Sequence, residues 1–296
     1  MVISASRRTD IPQYYMDWFI NRLKAGYALA RNPFNYKQVS RINLLPDAVT
    51  CIVFWTKNPA PMLDALEQLA AYPYYVQFTL HPYGPDLEPG LPGKDILLDV
   101  FRTLSDRLGS DRVVWRYSPV IVGGRYSASW HIEQFGQLAS ILAGYTKRCN
   151  LGFLDIYKKI RKQMEGMGIF EADAPCMRLI SEEFGKIAAK SKIELRACGN
   201  ITPGLLPQAR CIDDALISKI TGRVLSIPKD KGQPARCGCV KSADIGAYDT
   251  CLAGCTYCYA NSSRASVCKK TLAYDPTSPF LCSTPTANDK ITELKK

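Results

Sequence analysis

The chain has 296 residues, 47% hydrophobic and 22% charged, which is ordinary for a globular protein and excludes a disordered chain. Lys and Arg total 38 against 27 acidic residues, giving a net charge of +11, and 12 cysteines accompany only 2 histidines. No apolar stretch is long enough for a transmembrane helix, and the N-terminus lacks the apolar core of a signal peptide. We therefore expect a cytoplasmic protein with no membrane partner, whose cysteines serve metal or redox chemistry.

Short apolar runs alternate with segments of helical spacing over the first 200 residues. The predicted strands cover residues 2–5, 50–55, 74–80, 113–117, 149–156 and 193–197, and the predicted helices cover residues 14–23, 62–69, 96–108, 132–142 and 179–189. Apolar strands separated by helices indicate an α/β fold with a parallel sheet and crossover helices. Six strands fit either an open doubly wound sheet or an incomplete barrel, and periodicity alone does not choose between them.

Polar residues occur at the ends of several predicted strands. Thr56, Lys57 and Asn58 follow the second strand, Arg116 lies in the fourth, and Asp155 lies in the fifth. The carboxyl ends of parallel strands form the active face of α/β folds, and a charge inside an apolar run needs a partner or a ligand. We therefore expect a binding site at this edge of the sheet.

The sequence pattern changes after residue 204. Residues 205–262 contain one short predicted helix at residues 212–220, then a basic stretch and a dense group of cysteines. Residues 263–296 are rich in Ser, Thr, Pro and Lys without a clear period. These patterns predict an α/β part at residues 1–204, a Cys-rich segment at residues 205–262 and a loosely ordered tail at residues 263–296.

The strongest motif is Cys251-x3-Cys255-x2-Cys258, with Tyr257 before the third cysteine. Three thiolates on one loop can hold three irons of a [4Fe–4S] cluster, which leaves the fourth iron open to a small chelating molecule. A cluster with a purely structural role would normally use four cysteines. A zinc knuckle that takes a fourth ligand from elsewhere in the chain is the alternative.

At these residues the sequence resembles the radical S-adenosylmethionine (SAM) superfamily, whose core is a six-stranded partial (β/α) barrel. Further segments resemble domain-of-unknown-function family 1848: ISASRRTDIP (residues 3–12), VFWTKNP (53–59), VWRYSP (114–119), Cys237-Gly-Cys239, DIGAY (244–248) and CYAN (258–261). That family is similar to radical SAM proteins but carries its cluster loop C-terminally. The run Cys258-Tyr-Ala is also similar to one in spore photoproduct lyases, which is a weaker likeness.

The resemblance implies a six-stranded partial (β/α) barrel of radical SAM type, with the Cys-rich segment closing its mouth and the loop 251–258 at the carboxyl ends of the strands. It implies an enzyme with a [4Fe–4S] cluster on Cys251, Cys255 and Cys258. Such an enzyme takes an electron from a reductant such as ferredoxin or flavodoxin and cleaves SAM to a 5′-deoxyadenosyl radical. The SAM-binding residues expected from the resemblance and from strand-end position are Tyr257, Arg116, Thr56, Lys57, Asn58 and Asp155.

Four other cysteines are placed to meet above the carboxyl edge of the same fold: Cys198, Cys211, Cys237 and Cys239. Four thiolates suit a closed second [4Fe–4S] cluster or a zinc site. The alternative is that Cys198 is a small buried apolar residue and that the other three are incidental.

The substrate stays open at this point. The net charge of +11 allows nucleic acid, but the basic residues are spread along helix-like segments, so we favour a small molecule or another protein. Two other function classes compete with a radical SAM enzyme. One is an iron–sulfur electron-transfer protein that does not cleave SAM, and the other is a zinc-stabilised nucleic-acid-binding module.

Overall fold

Seven parallel strands form the main sheet in the computed structural model, which describes residues 1–199, 201 and 204–294. In chain order the elements are β1 (Val2–Ala5), α1 (Ile11–Tyr14), α2 (Met16–Ala25), β2 (Tyr27–Asn32), β3 (Asn35–Asn43), β4 (Cys51–Thr56), α3 (Ala60–Leu63), a 3₁₀ helix (Glu67–Leu69), β5 (Tyr74–Thr79), α4 (Lys94–Leu108), β6 (Val113–Val120), β7 (Val122–Gly123), α5 (Ala128–Leu142), β8 (Arg148–Phe153), α6 (Arg161–Gly166), β9 (Ile169–Phe170), α7 (Ala174–Lys190), β10 (Glu194–Ala197), α8 (Asp214–Thr221), β11 (Ala243–Asp244), α9 (Arg264–Thr271) and β12 (Lys290–Glu293).

The strand order across this sheet is β10-β8-β6-β5-β4-β1-β11. All six predicted strands are present, and they lie side by side in sequence order, without the reversal of order that defines a doubly wound sheet. The strand count of six is wrong, because β11 adds a seventh strand beside β1. A two-residue strand is too short to show a periodic pattern. The sheet is open in the described part of the chain, with β10 and β11 at its edges.

The two faces of the sheet differ because side chains alternate along each strand. On the outer face, apolar residues such as Ile52, Val76 and Trp115 pack under helices α2, α4, α5 and α7. On the inner face, apolar residues near the start of the strands give way to polar ones towards the carboxyl ends, as from Tyr75 to Gln77 on β5. The polar half of the inner face therefore lies next to the edge where the sequence predicts a site.

The Cys-rich segment covers this inner face. Ile212, together with Leu216 and Ile217 near or on α8, packs against apolar side chains of β4 and β5. The carbonyl of Cys211 accepts hydrogen bonds from the Tyr75 hydroxyl at 2.7 Å and from Gln77 Nε2 at 2.8 Å. The segment therefore belongs to the core of the fold rather than to a separate unit.

A buried carboxylate, Asp244, fastens β11 to β1. Its Oδ1 accepts hydrogen bonds from Ser6 Oγ at 2.7 Å and Gly246 N at 3.0 Å, and its Oδ2 accepts from Ser4 Oγ at 2.8 Å and Arg7 N at 2.9 Å. The chains approach closely here, since a Cβ added to Gly246 would lie 2.1 Å from Ser6 Oγ. Asp244 therefore fixes the chain a few residues before the three-cysteine loop.

The hairpin β2–β3 and the C-terminal residues form a second, three-stranded sheet in the order β12-β3-β2, which the sequence pattern did not predict. Residues 263–294 carry more regular structure than the expected loose tail, namely α9 and β12. Side chains of α2 hold this stretch by its carbonyl groups: Trp18 Nε1 donates to Ser278 O at 2.9 Å and Arg22 Nη2 to Thr277 O at 2.6 Å. Contacts of this kind leave no hydrophobic period in the sequence, so the sequence pattern does not predict the structure of residues 263–294.

Among the residues that the structure describes, no helix combines the length and the apolar character needed to cross a bilayer.

Replacing Asp244 with Asn should destabilise the protein by about 2–4 kcal/mol. The NH₂ group of Asn would face hydrogen-bond donors at a position where a carboxylate oxygen now accepts hydrogen bonds. Urea unfolding followed by circular dichroism measures this difference. Asp47→Asn is the control, since Asp47 is exposed and its replacement should change the free energy of unfolding by less than about 0.5 kcal/mol. Equal unfolding midpoints for the two variants would contradict the role given to Asp244.

Candidate functional site

The three-cysteine loop lies beside the segments that follow β1, β4 and β5, at the carboxyl ends of these strands. The amide of Thr256 donates to Leu87 O at 3.0 Å, and Ala253 O accepts from Gly90 N at 3.0 Å, which docks the loop on the segment after β5. A Cβ added to Gly90 would lie 2.5 Å from Ala253 O, so the two backbones are as close as they can be.

A second group of contacts ties the loop to the ends of β1 and β4. The hydroxyl of Tyr259 donates to Arg7 O, directly after β1. The hydroxyl of Tyr257 lies 2.9 Å from the Nζ of Lys57, the residue that follows β4. A loop remote in sequence therefore sits over three strand ends of one sheet.

The thiols of Cys251, Cys255 and Cys258 are partly buried. Negative charge on Cys258 or Cys255 adds to burial in raising the pKa of Cys251, so the three thiols lie near one another. Burial is the main reason that the pKa of Cys255 is raised to about 12, and the carboxylate of Glu88 adds to it, while Lys57 acts in the opposite direction. Burial likewise raises the pKa of Cys251. Gly254, between the first two cysteines, has a φ of 65°, a left-handed conformation that glycine adopts without strain. The loop thus presents three thiols within one tight turn.

A buried ionic network supports this turn from below. Glu88 Oε1 accepts from Lys57 Nζ at 2.7 Å and from the Tyr257 hydroxyl at 2.5 Å, and Glu88 Oε2 accepts from Lys94 Nζ at 2.7 Å. The Nδ1 of His81 lies 3.1 Å from Glu88 Oε1. Although burial opposes ionisation, Lys57 and the hydrogen bond to His81 hold the pKa of Glu88 well below its ordinary value. Tyr257, between the second and third cysteines, is therefore anchored to a fixed charge pair.

Sequence reasoning missed Glu88 and gave His81 no role. His81 follows β5 and was visible as a polar residue at a strand end, which is a usable signal. Glu88 lies farther along an irregular loop in no recognisable motif. Its importance depends on burial, which only the folded chain shows.

Thr56 and Asn58 shape the turn after β4. The hydroxyl of Thr56 accepts from Asn58 N at 3.0 Å, and the Asn58 side chain accepts from Ala60 N at 3.2 Å. Lys57 N donates to Asp10 Oδ2 at 2.7 Å, so the turn is also tied to the segment after β1. These hydrogen bonds place the Lys57 side chain under the cysteine loop.

Arg116 and Asp155 lie on the side of the other cysteine set. The guanidinium of Arg116 stacks 4.8 Å above the Trp55 ring and donates to Thr79 Oγ1 at 3.2 Å. The groups whose charges act most on Arg116 are the thiols of Cys211 and Cys198 and the hydroxyl of Tyr259. Asp155 is half-exposed and pairs with Arg236 at 3.3 Å, next in sequence to Cys237.

The structure brings the second cysteine set together on the inner face of the sheet. The sulfurs of Cys198 and Cys211 are 3.9 Å apart. Cys239 Sγ accepts from the amide of Ile212, next to Cys211, at 3.5 Å, and Cys237 packs against the same buried cluster. Within the described residues, however, no three Cys, His, Asp or Glu side chains are already arranged around a common point as ligands of a metal ion.

Replacing Glu88 with Gln should cost about 3–5 kcal/mol of unfolding free energy, because it leaves the largely buried charge of Lys57 without a counterion and removes the carboxylate that pairs with the partly exposed Lys94. Glu182→Gln, on the exposed face of α7, is the matched control and should behave like the unmodified protein. Chemical denaturation of both variants measures the difference. A Glu88→Gln protein as stable as the control would show that the network is not a structural anchor.

Both histidines should stay neutral in the folded protein at pH 5. Burial lowers the pKa of His81 to about 3 and that of His131 to about 4, against an ordinary value of 6.5. In the unfolded chain both take up a proton near pH 6.5, so the stability due to the neutral imidazoles is lost as the pH falls from 6.5 towards 4. Imidazole chemical shifts in an NMR titration measure the two values, and titration near pH 6.5 would contradict them.

A known protein family matches the part of the chain that forms the main sheet and both cysteine sets. The model of one family, described as a domain of unknown function (DUF1848), matches residues 2–260. No curated protein matches the chain. The family match begins at β1 and ends just after Cys258, so it includes the main sheet and both cysteine sets. The chain therefore belongs to the DUF1848 family.

Proposed function

We propose that the protein is a radical SAM enzyme and that its sheet is the partial (β/α) barrel of that superfamily. The observation that carries the proposal is the position of Cys251, Cys255 and Cys258 over the carboxyl ends of β1, β4 and β5. The sequential order of the parallel strands supports it, because β/α barrels have this order.

The donor set fits a [4Fe–4S] cluster with one open iron. The loop offers three partly buried thiols within eight residues. Each thiolate ligand of a cluster binds a different iron, so three ligands leave the fourth iron open. When bound, such a cluster supplies reductive cleavage of SAM, using an electron from a donor such as ferredoxin or flavodoxin.

The residues around the loop have two tasks in this proposal. Lys57 places a positive charge near Cys255, which favours the thiolate form that binds metal. Glu88 holds both Lys57 and Tyr257, so it fixes the turn between the second and third cysteines. Burial of this network keeps water away from the underside of the loop.

The candidate SAM contacts fall into groups according to the side chains that surround them. Thr56, Asn58 and Asp155 lie at strand ends on the same edge as the loop, and we keep them as candidates for contact with SAM. The Lys57 ammonium already bonds Glu88 and Tyr257, so we assign it a positioning role. Arg116 faces the second cysteine set. As substrate, a small molecule or another protein is favoured over nucleic acid.

Anaerobically reconstituted and reduced protein should form 5′-deoxyadenosine from SAM, as measured by chromatography and mass spectrometry. Replacing Cys251, Cys255 and Cys258 together with Ala should lower this product to background, because no ligand set for the cluster remains. Cys268→Ala is the control, since Cys268 is exposed on α9 and belongs to neither cysteine set. SAM cleavage by the triple variant, or none by reconstituted unmodified protein, would refute the proposal.

A further inference from the structure

Two sulfurs of the second cysteine set lie close together: those of Cys198 and Cys211 are 3.9 Å apart. Cys239 Sγ accepts from the amide of Ile212, next to Cys211, at 3.5 Å, and Cys237 packs against the same buried cluster. Four sulfurs bonded tetrahedrally to one zinc ion at about 2.3 Å lie about 3.8 Å from each other. The distance between Cys198 and Cys211 therefore matches two ligands of a single ion and is too short for ligands of different irons in a cluster.

The charges around this set also indicate a bound cation with four thiolates. The guanidinium of Arg116 lies near the Cys211 and Cys198 thiols. Arg7 lies near Cys239 but also pairs with Asp230 at 3.3 Å and with Asp244 at 3.9 Å. Arg116 Nε and Arg7 Nη1 are buried and have no hydrogen-bond partner among the described residues. Arg116 forms no ion pair with a carboxylate in the described part of the chain, and a buried guanidinium next to neutral thiols lacks compensation, which is costly. One Zn²⁺ with four thiolates carries two negative charges and would give Arg116 a counterion.

We propose that Cys198, Cys211, Cys237 and Cys239 bind one zinc ion, with Arg116 as a counterion. The four side chains do not yet surround a common point within the described residues, so zinc binding turns them inward and releases the thiol protons. Four thiolates leave no open position on zinc, so the site has a structural role.

Zinc at this place would join the edge of the sheet to the Cys-rich segment. Cys198 directly follows β10, Cys211 precedes α8, and the other two cysteines precede β11. Gly238, between Cys237 and Cys239, is tightly packed, because an added Cβ would lie 3.1 Å from Ala209 O and 3.0 Å from Gln208 Cδ. The backbone of the Cys-x-Cys turn therefore packs closely against Gln208 and Ala209, just before Cys211.

Zinc content measured by mass spectrometry of metals in the full-length protein tests the proposal. The unmodified protein, purified without oxygen from zinc-supplemented cells, should contain one zinc per chain. The triple Cys251/Cys255/Cys258→Ala variant and the Cys268→Ala control should retain that zinc. The double variant Cys211→Ser/Cys239→Ser should lose it. This result is independent of SAM cleavage, so the zinc site and the proposed function can fail separately.

Cobalt substitution keeps the test valid if the double variant fails to fold. The unmodified protein loaded with Co²⁺ should show the intense ligand-field and charge-transfer bands of a tetrahedral four-thiolate site. Iron bound at this set in the triple variant would overturn the proposal, as would unmodified protein that retains no zinc. A Cys198–Cys211 disulfide in anaerobically prepared protein, detected by thiol mapping, would also overturn it.

The role of Arg116 has its own test. Arg116→Gln should lower zinc affinity by about 10–100-fold, the range found when a group outside the ligand shell of a metal is removed. Arg161→Gln, on exposed α6, is the matched control and should leave the affinity unchanged. Competition with a chromogenic chelator measures both. If Arg116→Gln keeps the zinc affinity but abolishes SAM cleavage, Arg116 belongs to the SAM site instead.

Discussion

The fold depends on one buried carboxylate, that of Asp244, because it joins the first strand to the last strand of the main sheet. Its two oxygens accept four hydrogen bonds from residues of β1, the segment after it and Gly246. The three-cysteine loop begins seven residues later, so the contact at Asp244 fixes the chain just before the loop reaches the strand ends.

The two cysteine sets lie at different depths on the same inner face of the sheet. The set around Cys211 lies deeper, where Tyr75 and Gln77 bond the backbone of the covering segment. The three-cysteine loop lies at the edge, above Lys57 and Glu88. Both sets use positive charge close to thiols, which lowers the cost of thiolates in a buried place. Lys57, held by Glu88, places a positive charge near the thiols of the loop, and Arg116 places one near the thiols of the deeper set.

Sequence reasoning predicts the parts of this structure that leave a local pattern. The six main strands show as continuous apolar runs, and the three-cysteine loop shows as a spacing. The strand Ala243–Asp244 does not show, because its partner Ser4 is more than 200 residues away and only two residues pair. The same holds for Glu88, whose four partners come together only on folding, and for the C-terminal residues held by Trp18 and Arg22.

The late position of the cysteines in the chain sets the order of events during synthesis. Proteins leave the ribosome from the N-terminus, and their N-terminal parts fold first. The strands from β1 to β10 and their covering helices are complete when Ala197 has emerged, well before Cys251. The inner face, with Gln77 and Arg116, is covered only by the Cys-rich segment that emerges afterwards. If the cysteines bind metal as proposed, metal would be delivered after the six earlier strands have left the ribosome, at the stage when the inner face closes.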